Sequence, residues 1–168
     1  MTNTIYNNNI LVDLDGVAVN FGKQLLEIYP DFVEGQTERN KKMDREMWKA
    51  IAKYQRNGGS FWLDCEPMPD AFELWDYLKP YNPEILTACG NASFGAGQQK
   101  IEWVAKHFGS HIKVNLVEKS KDKATFATPT SILIDDKMKS IEPFRAAGGI
   151  GILHTSAKTT IAELEALI

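Results

Sequence analysis

Cysteine is scarce in this chain: Cys65 and Cys89 are the only two. They show none of the paired spacings of a zinc site and are too few for a disulfide framework, so a reducing cytoplasm is the expected compartment. No apolar run approaches the ~20 residues of a membrane span, which excludes a helical membrane protein. Met1 to Asn9 is polar, with neither a basic n-region nor an Arg-rich amphipathic pattern, so no secretory or organelle address is expected. An excess of charge is missing as well. Nineteen Lys and Arg stand against 22 Asp and Glu, a net charge of −3. Nucleic-acid backbones are held largely by Lys and Arg, so long nucleic acid is not an expected partner, although Arg39-Asn40-Lys41-Lys42 to Arg45 forms a local basic strip. The three histidines, His107, His111 and His154, converge with no cysteine or acid pattern, which points to surface or helix-end positions over metal ligation. Gly148-Gly149-Ile150-Gly151 enters a strand instead of leaving one for a helix, so it lacks the context of a dinucleotide loop. Homodimerisation is left open by the sequence.

What the chain does have is a 43% apolar composition over 168 residues, enough for the core of one domain. Five short runs read as strands: Ile10 to Leu14, Glu84 to Thr87, Ile112 to Val117, Ser131 to Asp135 and Ile150 to Leu153. Their nearly continuous Ile, Val and Leu content suits strands covered on both faces. Helical stripes alternate with them: Ala71, Leu74, Trp75, Leu78; then Ile101, Val104, Ala105, Phe108; then Ile161, Leu164, Ile168. This alternation predicts an α/β fold, a Rossmann-like parallel sheet flanked by helices. The stretch from Gly16 to Pro80, about 60 residues, is too long for a crossover. It reads as an insertion: a core of 1–16 and 81–168, with a small helical cap over about 17–80. Within the cap, Met43, Met47, Ile51 and Tyr54 or Gln55 form a helical stripe, broken by Asn57-Gly58-Gly59-Ser60 before Phe61-Trp62.

Ligands of open α/β sheets bind at the carboxyl ends of strands, and two of these ends carry paired acids. The first strand runs into Asp13-Leu14-Asp15-Gly16-Val17, where residues two apart on an extended chain point to one side; the fourth runs into Asp135-Asp136. Two like charges about 4 Å apart repel by roughly 4 kcal/mol at an effective dielectric near 20, so packing these acids together calls for a neutralising cation. Mg²⁺ suits an all-oxygen ligand set and leaves positions for water and a phosphate. The second strand ends in Thr87-Ala88, offering a hydroxyl and backbone N–H groups to anionic oxygens, and Lys119, Lys121 and Lys123 precede the fourth.

Asp13-x-Asp15-Gly16-Val17, Thr87, a lysine and Asp135-Asp136 resemble, in order and spacing, the four-motif signature of the haloacid dehalogenase phosphatase superfamily. Nearly the whole chain is similar to the 5′(3′)-deoxyribonucleotidases through Phe21, Phe61-Trp62, Pro67-Met68-Pro69, Ile85-Leu86-Thr87-Ala88, Lys100-Ile101-Glu102-Trp103, His107-Phe108-Gly109, Asp122-Lys123 and Leu133-Ile134-Asp135-Asp136. The resemblance implies an Mg²⁺-dependent phosphatase acting on deoxyribonucleoside monophosphates. Asp13 is then the nucleophile and Asp15 the acid and base. Metal ligands come from Asp13, the Asp15 main-chain carbonyl and Asp135 or Asp136. Thr87, Ala88 and Lys123 hold phosphate, with Lys121 the weaker candidate for the lysine, and Phe21, Phe61 and Trp62 surround the base. Departures from the family pattern at Cys65-Glu66-Pro67-Met68-Pro69-Asp70-Ala71 and at Ala88-Cys89-Gly90-Asn91 are expected to lie near the substrate. Alternatives are a phosphatase for another small phosphoester or a nucleic-acid 3′-phosphate end, and a non-catalytic binding module of the same fold.

Overall fold

The computed structural model describes residues 8–32, 41–90 and 94–167. Expectations for Met1 to Asn7, Arg39, Asn40, Asn91 and Ile168 lie outside the described residues. Five parallel strands, β1 (Asn9–Val12), β2 (Glu84–Ala88), β3 (Val114–Val117), β4 (Ser131–Asp135) and β5 (Ile150–Leu153), form one sheet in the order β3-β2-β1-β4-β5. The chain moves outward from β1 on one side, then returns to pair β4 on β1's other edge. The strand order therefore reverses at β1, the place where sheets of this kind open a crevice for a ligand.

Alternation along the strands divides the core in two. Ile10, Val12, Ile85, Ile132, Ile134 and Ile152 face the larger cluster, while Leu11, Leu86 and Leu133 face the smaller one with Ile141 and Phe144 of α5 (Met138–Ala146). Full burial of each such side chain contributes about 1.5–3 kcal/mol. The edge strand β3 departs from the expectation of two covered faces: it starts at Val114, and its Leu116 is exposed. It has a strand neighbour only on the β2 side, so it is less enclosed than the central strands.

Between β1 and β2 the chain forms α1 (Phe21–Ile28), α2 (Lys41–Arg56) and α3 (Ala71–Leu78). Asn20 caps α1 by accepting from the Lys23 N–H at 3.2 Å. Helix α2 buries Met47 and Ile51 as its stripe predicts. Helix α3 buries Ala71, Leu74, Trp75 and Leu78 and packs beside α6 (Ala157–Glu165). The Asp70 carboxylate preceding α3 accepts from the Ala157 N–H at 2.7 Å, at the start of α6. Asp70 thus joins two helices and does not line the cleft described below, contrary to the expectation for this departure. His154 is also corrected: it is buried beyond β5, its Nδ1 lies 2.7 Å from Thr160 Oγ1, and its main-chain N–H donates to the Asp135 carbonyl at 2.8 Å. No described helix is long and apolar enough to cross a membrane.

Candidate active site

Hydrogen bonding carries the sheet one residue beyond β1, because the Asp13 N–H donates to the Ile134 carbonyl at 3.0 Å. Asp13 is thereby placed next to the end of β4. The chain then turns tightly, with the N–H groups of Val17, Ala18 and Val19 all directed at the Leu14 carbonyl. Gly16 makes this turn with a φ of +86°, and a Cβ there would overlap the Asp136 carboxylate. Glycine is required twice over, for its backbone and for the close approach of the second acid pair.

Carboxylate oxygens of Asp13, Asp135 and Asp136 lie within 4.8 Å of one another. Asp13 and Asp135 share the buried Lys123, whose Nζ donates to Asp13 Oδ1 at 2.9 Å and to Asp135 Oδ2 at 2.6 Å. The lysine arrives from the 3₁₀ segment Ser120–Phe126, whose start is closed by the Lys119 N–H donating to Asp122 Oδ2 at 3.0 Å. Burial alone would loosen the Lys123 proton, but the two carboxylates outweigh it and raise its pKa above the ordinary lysine value. One cation does not balance three acids. Burial, with the charge of Asp13 added, pushes Asp135 up despite Lys123, and burial beside Asp13 and Asp135 pushes Asp136 up to about 7. Asp136 Oδ1 is buried without a hydrogen-bond partner. An all-oxygen cluster with an unpartnered buried oxygen and surplus negative charge fits a hard divalent cation.

Asp15 has a partner that the sequence reading did not place in the site. Lys100 of α4 (Ala96–His107) is 3% exposed and its Nζ reaches Asp15 Oδ2 at 3.0 Å, Thr87 Oγ1 at 3.1 Å and the Ala88 carbonyl at 2.7 Å. Thr87 is buried behind this ammonium and does not line the cleft, whereas Ala88 does. The stripe expected for this helix, Ile101, Val104, Ala105 and Phe108, is corrected here: α4 buries Ala96, Lys100, Trp103 and Val104 and leaves Ile101 and Ala105 exposed, so the misplaced stripe hid Lys100, a buried position that lysine rarely takes unless paired.

These groups form the floor of a cleft of about 640 Å³. Phe21, Phe32, Met43, Met47, Trp48 and Trp62 give it an apolar wall, and Lys119, Lys121, Lys137 and Lys139 a basic rim. Phe61 does not belong to this wall. It is 0% exposed, packed edge-on against Phe21, Tyr54 and Trp62, and holds the core beneath them. Trp48 lines the cleft instead, 38% exposed, with its ring centroid 5.1 Å from Phe94 and 6.4 Å from Trp62. Trp48 follows directly on buried Met47 in α2, an aromatic at the edge of an otherwise charged face, and that was its signal in the sequence. Gln99, next to Lys100, accepts from the Trp62 N–H at 3.0 Å and donates to Gln55 Oε1 of α2 at 2.7 Å. This clamp ties the aromatic wall to the helix that supplies Lys100. Cys89 and Gly90 line the cleft, as expected of that departure from the family pattern. Lys121 stands exposed at the rim while Lys123 is buried among the acids.

Several solved structures share the fold. A haloacid dehalogenase-like family hydrolase from Streptococcus pneumoniae superposes with a TM-score of 0.58 at 11% identity, over 94% of this chain and 90% of that one. A haloacid dehalogenase-like hydrolase from Bacteroides fragilis gives 0.57 at 14% identity, over 95% and 92%. An enzyme of the same superfamily from Bacteroides thetaiotaomicron, in complex with magnesium and inorganic phosphate, gives 0.50 at 13% identity, over 89% and 94%. Among curated proteins none matches this chain in sequence. The model of the family described as 5′ nucleotidase, deoxy (Pyrimidine), cytosolic type C protein matches residues 7–165. With that match over nearly its whole length and the acid-lined crevice at the sheet's reversal point, the chain belongs to this nucleotidase family and is a phosphatase of the haloacid dehalogenase fold.

Proposed function

We propose that the chain is an Mg²⁺-dependent phosphatase of deoxyribonucleoside monophosphates that works through a phosphoryl group on Asp13. The observation that carries this reading is the Asp13, Asp135, Asp136 cluster at one end of a cleft whose other wall is aromatic. The cleft volume falls in the range of small-ligand sites, and the Trp48 face offers a flat surface for stacking a base. In the reading, an Asp13 oxygen attacks phosphorus and the bond to the sugar oxygen breaks. Asp15 gives its proton to that departing oxygen, then takes a proton from the water that attacks the phosphoryl-aspartate, which frees phosphate and restores Asp13. Lys123 holds Asp13 in place and supplies positive charge where the equatorial oxygens become more negative. A bound Mg²⁺, held by carboxylates of Asp13 and of Asp135 or Asp136 and by the Asp15 main-chain carbonyl, supplies charge neutralisation at the phosphate. The Ala88 main chain borders the same space.

The test is hydrolysis of a panel of deoxyribonucleoside and ribonucleoside monophosphates and sugar phosphates. Turnover should be highest on a deoxyribonucleoside monophosphate, cease on chelation with EDTA, and vanish in Asp13→Asn, whose amide is not a competent nucleophile. Full activity in Asp13→Asn would overturn the phosphoryl-aspartate. A second reading, a 3′-phosphate at the end of a nucleic-acid strand, draws on the rim of Lys119, Lys121, Lys137 and Lys139. It requires kcat/KM on a 3′-phosphorylated oligonucleotide to exceed that on every mononucleotide and to fall steeply with salt.

A further inference from the structure

Lys100 is a buried cation beside the floor of the cleft whose purpose the chemistry above leaves open. An ammonium has three donors and no acceptor. Here the three acceptors are Thr87 Oγ1, the Ala88 carbonyl and Asp15 Oδ2. Two of them belong to the end of β2, a strand in the interior of the sheet, and the lysine's own backbone is in α4. The ammonium is thus fixed from two elements, and its third donor points at the carboxylate. Asp15, by contrast, makes no other side-chain hydrogen bond among the described residues, and its Oδ1 is buried without a partner. The Asp15 carboxyl is thereby held through Oδ2 by a cation that is itself anchored at two further points.

We propose that Lys100 is the positioning residue of the leaving-group step: its anchored ammonium fixes the orientation of the Asp15 carboxyl through Oδ2. Thr87 and Ala88 serve this arrangement by anchoring the lysine. The proposal rests on the reading of Asp15 as acid and base.

A proton delivered to the departing oxygen matters most when that oxygen is strongly basic. The experiment is therefore a comparison of wild type and Lys100→Met on 4-nitrophenyl, phenyl and methyl phosphate, with Mg²⁺ present. The quantity to read is kcat/KM, which covers the steps up to departure of the leaving group. General acid catalysis typically contributes 10²–10⁴-fold, so Lys100→Met should lose about 10²-fold more on methyl than on 4-nitrophenyl phosphate, with phenyl phosphate between them. Equal losses along the series would overturn the role of Lys100 and leave the phosphatase reading intact. If wild type hydrolyses none of the three, the phosphatase reading itself fails and the proposal with it. Should circular dichroism show Lys100→Met unfolded, Lys100→Gln is measured on the same series with the same expected order. Loss of fold in both would overturn the proposal, making Lys100 a residue of the core.

Discussion

At the scale of single residues, the site is a problem of charge placed in a confined space. Lys123 is 2% exposed yet sits between two carboxylates at hydrogen-bonding distance, and Lys121, two residues earlier, is exposed at the rim. Removing Lys123 leaves two buried acids facing each other; removing Lys121 withdraws one solvated charge. Lys123→Ala should therefore lower kcat by about 10²–10³-fold, the usual cost of one preorganised charge contact at a transition state, while Lys121→Ala changes it less than about threefold. Steady-state kinetics on variants matched by circular dichroism decide this, and the reverse order would move the phosphate-facing lysine to Lys121. Both lysines were visible in the sequence as candidates. Their difference was not, because it depends on which one the 3₁₀ segment turns toward Asp13 and Asp135.

At the scale of elements, α2 separates two uses of aromatic side chains. Phe61 is enclosed by Phe21, Tyr54 and Trp62, whereas Trp48 shows its ring to the cleft. Stacking of a base on an aromatic ring is worth roughly 1–3 kcal/mol, so Trp48→Ala should lower kcat/KM for a deoxyribonucleoside monophosphate about 5–150-fold and spare 4-nitrophenyl phosphate. Phe61→Ala should instead cost about 3–5 kcal/mol of stability, the range for emptying a buried aromatic site. Urea unfolding and kinetics on the two substrates separate the outcomes. Equal losses on both esters in Trp48→Ala would show a wall that collapses without that ring. The family resemblance grouped Phe61 with Trp62 around the base, although only Trp62 lines the cleft, and apolar spacing located the helix. It could not say which ring faces inward, since a fully buried ring and a ligand-facing ring satisfy the same pattern.

At the scale of the whole molecule, buried ionisable groups couple folding to pH. His154 has its pKa lowered, first by burial, with Asp70 and Asp13 opposing part of the effect. The unfolded chain therefore takes up the proton more readily. The contribution of His154 to stability is complete above the ordinary histidine range and lost as pH falls through it. Asp136 acts in the opposite sense: raised to about 7, it binds a proton in the folded state well before the unfolded chain does, so acidification from neutrality relieves its cost. Comparing variants isolates the histidine. In EDTA, between about pH 7.5 and about pH 5.5, the urea midpoint of His154→Asn should decline less on acidification than that of wild type. Identical slopes would show that His154 is as easily protonated folded as unfolded.

The alternation of Ile, Val and Leu runs with helical stripes was enough to establish a parallel α/β sheet, because a short apolar run and a period of 3.6 are local properties of the chain. Asp13, Asp15, Asp135 and Asp136 were legible as candidates for a related reason: they lie at or just beyond the ends of β1 and β4, and strand ends are where such sheets bind ligands. Lys100 is different. Its partners are 12, 13 and 85 residues away along the chain, and they meet only because α4 packs against the end of β2 beside the loop after β1. Trp48, Phe61 and His154 were likewise assigned their surroundings by packing. Burial and partnership are relations between distant segments, and a one-dimensional pattern carries the periodicity of an element but not which neighbour closes over each of its faces.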